Sequence, residues 1–276
     1  MKKDNFKFLN DKELLRLTGI KQNTFNKMLD ILKEAELKKF KKGGKANKLS
    51  LENRLLMTLS YWREYRTYFN LGKSFGLSES NCYRNIKWIE NTLIKHPDFQ
   101  QLAGQKTLIN KYFNDKTIII DATETAIQRP KKGQKKYYSG KKKKHTIKTQ
   151  IILEKESKTI IATNFACGKT DDFRLFKESK IPLLKATKVI VDTSYQGLQK
   201  MHRNVLIPHK KTKQKTLNNE QKQHNKLISQ MRIVIENVFA ILKKFKIITE
   251  KYRNRRKRFA LRFNLIASIY NFQLLL

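Results

Sequence analysis

The sequence is poor in cysteine, in long apolar runs and in acidic residues. The two cysteines, Cys82 and Cys167, stand far apart without the paired spacing of metal ligands, which excludes a disulfide framework or a zinc finger and fits a reducing compartment. No stretch approaches the roughly 18 uncharged apolar residues of a membrane-spanning helix, so we expect no membrane partner. No apolar segment follows residues 1–5, so the sequence predicts a cytoplasmic rather than a secreted protein.

The shortage of acidic residues makes the chain strongly basic. Its 276 residues include 61 Lys and Arg but only 23 Asp and Glu, which gives a formal net charge of +38 at pH 7. Charge on that scale repels itself within a compact fold unless a polyanion is the usual partner, so the composition favours a protein that binds nucleic acid. The hydrophobic content of 39% is too high for a disordered basic chain and predicts a folded protein.

Residues 1–105 show the apolar spacing of helices and few signals for strands. Ser50 is placed to cap one helix, and two short helices, at 67–75 and 79–93, flank a turn that contains glycine. This pattern is typical of a helix-turn-helix, at about residues 51–93, in an all-α DNA-binding domain, although a helical cap domain that never touches DNA would show the same spacing. The residues expected to face a major groove are Ser80, Asn81, Arg84, Asn85 and Lys87.

From about residue 112 the sequence changes to alternating strand patterns, which predicts a second domain at 112–276. Two of the strands should form a hairpin, because a polar turn at 154–158 separates them. A helix is expected from about residue 227 to residue 245. Strands interspersed with helices predict an α/β fold for this domain. The predicted strands are 117–121, 145–153, 159–165, 188–192 and 247–252.

Three carboxylates in the second domain have settings that suit phosphodiester chemistry. Asp121 and Asp192 each end an apolar strand, and Glu236 lies in an apolar helical stretch whose neighbours are expected to leave it little solvated surface. Two Mg²⁺ ions can activate an attacking oxygen and stabilise a leaving oxygen, and they need few carboxylates because water and phosphate supply the other ligands. We therefore predict that Asp121, Asp192 and Glu236 are the catalytic residues and the ligands of two Mg²⁺ ions, which Mn²⁺ could replace.

Each of these carboxylates also has a simpler interpretation. An Asp directly after a strand is often a turn former or a helix cap, and a lone helical Glu usually lies on a solvated face. Asp172 is the main competing carboxylate, and its position before an apolar helical segment favours a helix cap. The residues alone leave these alternatives open at each position.

Basic residues accompany the three carboxylates along the sequence. The loop at 131–144 ends in four consecutive lysines, which we expect to grip phosphates. Arg232 lies one turn before Glu236 and Lys243 about two turns after it, so both are expected to reach DNA; the alternative is that they are ordinary solvated helix cations. The DNA contacts predicted for this domain are Arg129, Lys141, Lys142, Lys143, Lys144, His145, Lys148, Arg232 and Lys243.

Four blocks of the sequence carry a resemblance to one family, and the resemblance as a whole covers roughly residues 50–272. The blocks are 121–124 with 127–130, 137–141 with 144–148, 191–192 with 195–197, and 232–236 with Lys243. They resemble the Asp-Asp-Glu transposases of bacterial insertion sequences. Within that family they resemble the branch that has a helix-turn-helix front domain and is related to the eukaryotic Harbinger elements.

The resemblance implies an RNase H-like mixed sheet flanked by helices, preceded by the all-α helix-turn-helix domain. It implies excision and insertion of the element's own DNA, with two divalent metals and with Asp121, Asp192 and Glu236 as catalytic residues. The implied partners are double-stranded DNA, at the element ends and the target, and further copies of the chain in a homodimer or higher oligomer within the bacterial nucleoid. Arg232 and Lys243 match the Arg and Lys of a signature seen in related insertion-sequence transposases. That signature also has a Tyr three positions before its Arg, where this chain has Ser229. The resemblance therefore does not imply a stacking role for that Tyr or a hairpin intermediate.

Two other functions are compatible with the sequence. A catalytically inactive, sequence-specific DNA-binding regulator descended from a transposase would keep the helix-turn-helix and retain the carboxylates as relics. A polybasic RNA-binding protein ranks last, because the chain lacks the aromatic strand pattern of RNA-recognition domains. Metal-dependent cleavage of DNA would separate the transposase from both alternatives.

Overall fold

The chain divides into two compact units. The computed structural model describes residues 9–41, 43, 46–100, 102, 115–211 and 216–276. One unit contains residues 1–101 and 242–276, and the other contains residues 102–241. The prediction placed residues 242–276 in the α/β domain; in the structure the apolar C-terminal helix packs against helices of the N-terminal part of the chain.

The described elements of the first unit are mainly helices. Its C-terminal portion corrects the sequence prediction, because the strand expected at 247–252 is a short helix with Ile247 and Ile248 buried. Short apolar runs of this kind do not distinguish a strand from a buried helical turn. The helices are α1 (Asp11–Thr18), α2 (Gln22–Phe40), α3 (Leu51–Glu64), α4 (Tyr68–Phe75), α5 (Glu79–Leu93), α6 (Pro97–Gln100), α10 (Lys246–Thr249) and α11 (Phe259–Leu274).

Helices α4 and α5 form the predicted helix-turn-helix. The side chains of Ser50, Thr67 and Ser78 accept hydrogen bonds from backbone N–H groups at the starts of α3, α4 and α5, as N-caps do. Gly72 permits the turn to close, because a Cβ at this position would lie 2.4 Å from the carbonyl oxygen of Leu77. The helix-turn-helix prediction is therefore confirmed, with its boundaries close to those expected.

A buried carboxylate joins α3, α5 and the C-terminal helix of this unit. Glu90 is fully buried and accepts hydrogen bonds from Trp62 Nε1 at 3.1 Å, Arg262 Nε at 2.6 Å and Arg258 Nε at 2.9 Å. A buried charge is tolerated when it is paired and hydrogen-bonded. The last 35 residues are therefore part of the folded helix-turn-helix unit.

The second unit is built on a mixed sheet flanked by helices, which confirms the predicted fold class. The elements are β1 (Thr117–Ala126), α7 (Gln134–Tyr137), β2 (Tyr138–Ser139), β3 (Lys144–Glu154), β4 (Ile160–Cys167), α8 (Asp172–Ser179), β5 (Lys188–Ile190), β6 (Val205–Leu206) and α9 (Asn219–Leu242). The strand order is β2-β3-β1-β5-β6, and β4 pairs with the long strand β3. The β3–β4 pair is antiparallel, as the predicted hairpin requires, and so is the β1–β3 pair, whereas β1–β5 and β5–β6 are parallel.

A hydrophobic core covers one face of this sheet. The core residues come from β1, β3, β4, β5, the following turns and α8; they include Ile118, Ile120, Ile152, Ile161, Phe176, Val189, Tyr195 and Leu198. Two predicted boundaries are corrected. Strand β1 continues to Ala126, so Asp121 lies in the middle of the strand rather than at its end, and α9 begins at Asn219 rather than near residue 227. Among the described residues, no helix is long and apolar enough to span a membrane.

Candidate active site

Asp121 lies on strand β1, and Asp192 lies just beyond the end of the neighbouring strand β5. The parallel pairing of β1 and β5 aligns Ile119 with Ile190, and the same register continued by two residues places Asp192 beside Asp121. Asp192 follows the end of β5, where its carboxylate accepts a hydrogen bond from the backbone N–H of Ser194 at 2.9 Å. The predicted pair of aspartates is thus brought together by the sheet, although the two residues are far apart in the sequence.

Asp121 also forms an ion pair with helix α9. Arg232 Nη2 lies 3.0 Å from Asp121 Oδ2, and both side chains are only 16% exposed. The backbone N–H of Ala122 donates to Asp121 Oδ1 at 2.8 Å. Burial, together with the charge of Asp192, raises the pKa of Asp121 above its ordinary value, although Arg232 and the Ala122 N–H oppose that rise. Removal from water and repulsion by a second carboxylate are the usual causes of raised carboxyl pKa values at functional sites.

Glu236 lies one helical turn beyond Arg232 on α9, and its side chain is exposed. The expectation that apolar neighbours would leave it little solvated surface is wrong. Ile235 is buried, but Ile233 is 50% exposed, so these neighbours lie around the helix and do not enclose Glu236. Within the described ranges, no group of three or more His, Cys, Asp or Glu side chains is arranged to hold a metal ion. The structure therefore brings Asp121, Asp192 and Arg232 together, and leaves Glu236 nearby on the same helix as Arg232.

A second polar cluster lies on β1, β3 and α8, and it corrects two predictions. Lys148 was predicted to contact DNA, but its buried ammonium group lies 2.6 Å from Asp172 and 3.9 Å from Glu124, so it is already neutralised inside the protein. Asp172 is not the helix cap, because the side chain of Asp171 accepts the capping hydrogen bond from the N–H of Arg174. The pairing of β1 with β3 sets Glu124 opposite Lys148. Glu124 lies outside the strand predicted at 117–121, so the sequence analysis did not pair it with Lys148.

The predicted phosphate-binding loop presents its lysines to solvent. Lys141, Lys142, Lys143 and Lys144 are all exposed. Arg129 is exposed as well, and its Nε donates to Gln134 Oε1 at 2.9 Å. The His145 ring is partly buried and packs edge-on against Tyr138, with 5.6 Å between ring centroids. This edge of the α/β unit is positively charged.

Helix α5 exposes only part of the predicted base-reading set. Ser80, Arg84 and Lys87 are exposed, and Asn81 is partly exposed. The prediction that Asn85 faces outward is wrong, because its side chain is 6% exposed. Its Oδ1 accepts from Arg54 Nε at 2.8 Å, and its Nδ2 donates to the carbonyl of Asn81 at 2.9 Å. Asn85 therefore holds Arg54 in place and is not on the groove-facing surface.

Lys243 occupies a different setting from the one predicted. It was expected on the same helix as Glu236, but α9 ends at Leu242 and Lys243 lies exposed in the following turn. That turn belongs to the helical unit, whereas Arg232 and Glu236 belong to the α/β unit. Arg232, the other predicted helix cation, contacts the predicted catalytic carboxylate Asp121.

Comparison with known proteins agrees with both units. The model of the DDE superfamily endonuclease family matches residues 120–271, and the model of the helix-turn-helix of DDE superfamily endonucleases matches residues 47–99. The chain is 44% identical over 276 residues to "Probable transposase for insertion sequence element IS702" of Microchaete diplosiphon, covering 100% of this chain and 99% of the relative. It is 24% identical over 236 residues to "Putative transposase for insertion sequence element IS112" of Streptomyces albus G, covering 84% of each chain. The chain therefore belongs to the DDE superfamily of endonucleases, among the transposases of insertion sequences, which confirms the resemblance seen in the sequence.

Proposed function

We propose that this transposase cuts DNA at the ends of its own element and joins the freed 3′-hydroxyls to target DNA, with Asp121, Asp192 and Glu236 as its catalytic carboxylates. The observation that carries the proposal is the pairing of Asp121 with Asp192. Asp192 follows the end of β5, the strand that pairs with β1, and its charge contributes to the raised pKa of Asp121. Two partly buried carboxylates that repel one another are suited to a shared cation.

The residues around Asp121 and Asp192 fit a divalent metal. Carboxylate oxygens are the ligands that Mg²⁺ and Mn²⁺ accept, so Asp121 and Asp192 would hold one ion, and Glu236 on α9 would complete the set. Bound divalent metal would supply activation of the attacking oxygen and stabilisation of the leaving oxygen. Arg232 neutralises Asp121 in this structure, and its guanidinium could also stabilise a phosphate that gains negative charge in the transition state.

The remaining parts of the chain would position the DNA. Exposed Arg84 and Lys87, with the partly exposed Asn81, place donors on helix α5, as expected of a recognition helix in a major groove. The lysine loop at 141–144, with Arg129 and His145, would contact phosphates near the catalytic edge. Because an excised element has two ends, we expect a homodimer or higher oligomer on the DNA, acting within the nucleoid.

The direct test is cleavage of a duplex that carries the sequences flanking the gene. The purified chain should nick this duplex at the element boundary with Mg²⁺ or Mn²⁺, and should leave it intact with EDTA. A scrambled duplex of equal length is the matched control for specificity. Cleavage that continues in EDTA, or that ignores the element boundary, would overturn the proposal.

A DNA-binding regulator without nuclease activity is the second candidate. Two observations favour it: Asp121 is already neutralised by Arg232, and no group of three acidic ligands is assembled among the described residues. The same assay separates the candidates, because a regulator would bind the element ends tightly and leave them uncut at every metal concentration.

A further inference from the structure

A basic segment, residues 251–258, lies between α10 and α11 in the helix-turn-helix unit, outside the machinery described so far. Six of its eight residues are Lys or Arg, and none is acidic. Cations at this density repel one another, so the segment requires firm anchors, an anionic partner, or both.

The anchors hold the backbone of the basic segment against the end of α3. Tyr252 is 1% exposed, and its ring stacks on that of Tyr65 with 6.2 Å between centroids. Asn254 Nδ2 donates to Tyr61 Oη at 2.7 Å and to Tyr65 Oη at 2.9 Å. The backbone N–H of Arg253 donates to Tyr65 Oη at 2.6 Å. The segment is therefore a fixed platform, and ordering it on a ligand would cost little conformational entropy.

The same segment is joined to both helices of the helix-turn-helix. Tyr68 of α4 donates through Oη to Asn254 Oδ1 at 3.3 Å, and Arg258 Nη2 donates to Asn91 Oδ1 of α5 at 3.1 Å. A hollow of about 250 Å³ separates the segment from α5; its lining residues are Tyr83, Asn254, Arg255, Arg258 and Arg262. Tyr83 belongs to α5, and Lys87 Nζ of the same helix lies 5.8 Å from the centre of the Tyr83 ring. The recognition helix and the basic segment thus line one hollow together.

The six cations of the basic segment fall into a bound set and an outward set. In the bound set, Glu90 neutralises Arg258, and Arg253 donates through Nη2 to the backbone carbonyl of Tyr65. Lys251, Arg255, Arg256 and Lys257 are exposed. Lys251, Arg255 and Lys257 form no ion pair with any other described residue. The bound set helps to hold the segment in place, and the four cations of the outward set are exposed.

From this arrangement we propose that the outward cations of the basic segment bind phosphates of the same DNA duplex whose major groove receives α5. The inference rests on the proposed DNA binding by the helix-turn-helix unit, and it adds a second contact surface from the C-terminal end of the chain. Phosphate contacts beside a recognition helix fix its register on the duplex without reading bases. An acidic protein surface is the rival partner of these cations, and DNA is favoured because the segment is built onto the recognition helix.

The test replaces the outward charges and measures binding as a function of salt. The variant carries Arg255→Gln, Arg256→Gln and Lys257→Gln, and the matched control carries Lys12→Gln, Arg16→Gln and Lys33→Gln, which are exposed cations of α1 and α2 in the same unit. Fluorescence anisotropy gives Kd for an element-end duplex and for a scrambled duplex between about 0.05 and 0.3 M salt. We expect the slope of log Kd against log salt to fall by about 2–3 in the variant, since each lost phosphate contact removes roughly 0.9. Affinity should fall equally for both duplexes, and the control should keep the wild-type slope.

A charge-preserving variant keeps the proposal testable if the glutamine variant is unstable. Arg255→Lys with Arg256→Lys retains the charge and should keep the wild-type salt slope. If the wild type binds and the glutamine variant keeps its slope and affinity within about twofold, the inference about the segment is overturned while DNA binding by α5 stands. Loss of affinity confined to the element-end duplex would also overturn it, because that pattern indicates base reading. Failure of the wild type to bind either duplex would overturn the proposed function as well.

Discussion

Replacement of Glu90 by Gln should destabilise the helix-turn-helix unit strongly. Glu90 is fully buried and receives hydrogen bonds from Trp62, Arg258 and Arg262, of which Arg262 is 1% exposed. Glutamine keeps the shape but removes the charge, so two guanidinium groups lose their counter-ion. Breaking a buried pair in this way costs about 3–5 kcal/mol. In a unit of this size 1 kcal/mol shifts Tm by roughly 3 °C, so we expect Tm to fall by about 10–15 °C.

Tryptophan fluorescence gives a selective assay of this unit. The chain has two tryptophans, Trp62 and Trp88, and both lie in the helical unit, so their emission during a thermal melt reports its unfolding. Glu34→Gln is the matched control, because Glu34 is exposed on α2, and Tm should stay within about 2 °C of the wild type. If Glu90→Gln also melts within about 2 °C of the wild type, the buried network does not hold the C-terminal segment to α5, and the reasoning is refuted.

Three further predictions concern pH, base reading and the buried side of α5. Burial alone would raise the pKa of Glu154, but Ser157 and the backbone N–H of Glu156 donate to its carboxylate and hold the pKa below its ordinary value. The ionised carboxylate therefore stabilises the fold at neutral pH, and this contribution is lost as the pH falls through the lowered pKa. Glu154→Gln should lower Tm at pH 7 but should leave Tm unchanged at a pH below that pKa. An equal loss of Tm at both pH values would refute this prediction. Arg84→Ala should reduce discrimination between element-end and scrambled duplexes by roughly 10- to 100-fold with an unchanged Tm, and equal loss on both duplexes would exclude base reading. Asn85→Ala should instead lower Tm, because Asn85 is a buried partner within the fold, and an unchanged Tm would contradict that role.

Local patterns predicted the helix-turn-helix well, because its information is local. The caps at Ser50, Thr67 and Ser78 and the glycine turn are all defined by residues within a few positions of one another. The burial of Asn85 was not predictable in this way. Its partner Arg54 lies 31 residues earlier on another helix, and without that partner a polar side chain on α5 was expected to face solvent.

The candidate active site was predicted only in part, because its geometry depends on contacts between residues far apart in the sequence. Apolar runs indicated the strands that carry Asp121 and Asp192, but only the pairing of β1 with β5 makes the two residues neighbours. The exposure of Glu236 depends on which face of α9 packs inward, and the mixed apolar stretch around it did not reveal that face. The start of α9 was missed because its first turns are polar, and the burial of Lys148 was missed because Glu124 and Asp172 reach it only through tertiary packing.

The measurement that tests the proposed catalytic role most directly is single-turnover nicking of the element-end duplex by three carboxylate variants. Asp121→Asn, Asp192→Asn and Glu236→Gln each remove one charge and keep the side-chain shape. Asp171→Asn is the control, since Asn caps a helix as well as Asp does. We expect each of the three variants to cleave at least roughly a hundredfold more slowly with Mg²⁺ while binding the duplex within about twofold of the wild type, and the control to cleave normally. Near wild-type nicking by any one of the three, with Mg²⁺ and unchanged binding, would contradict its assignment as a catalytic carboxylate.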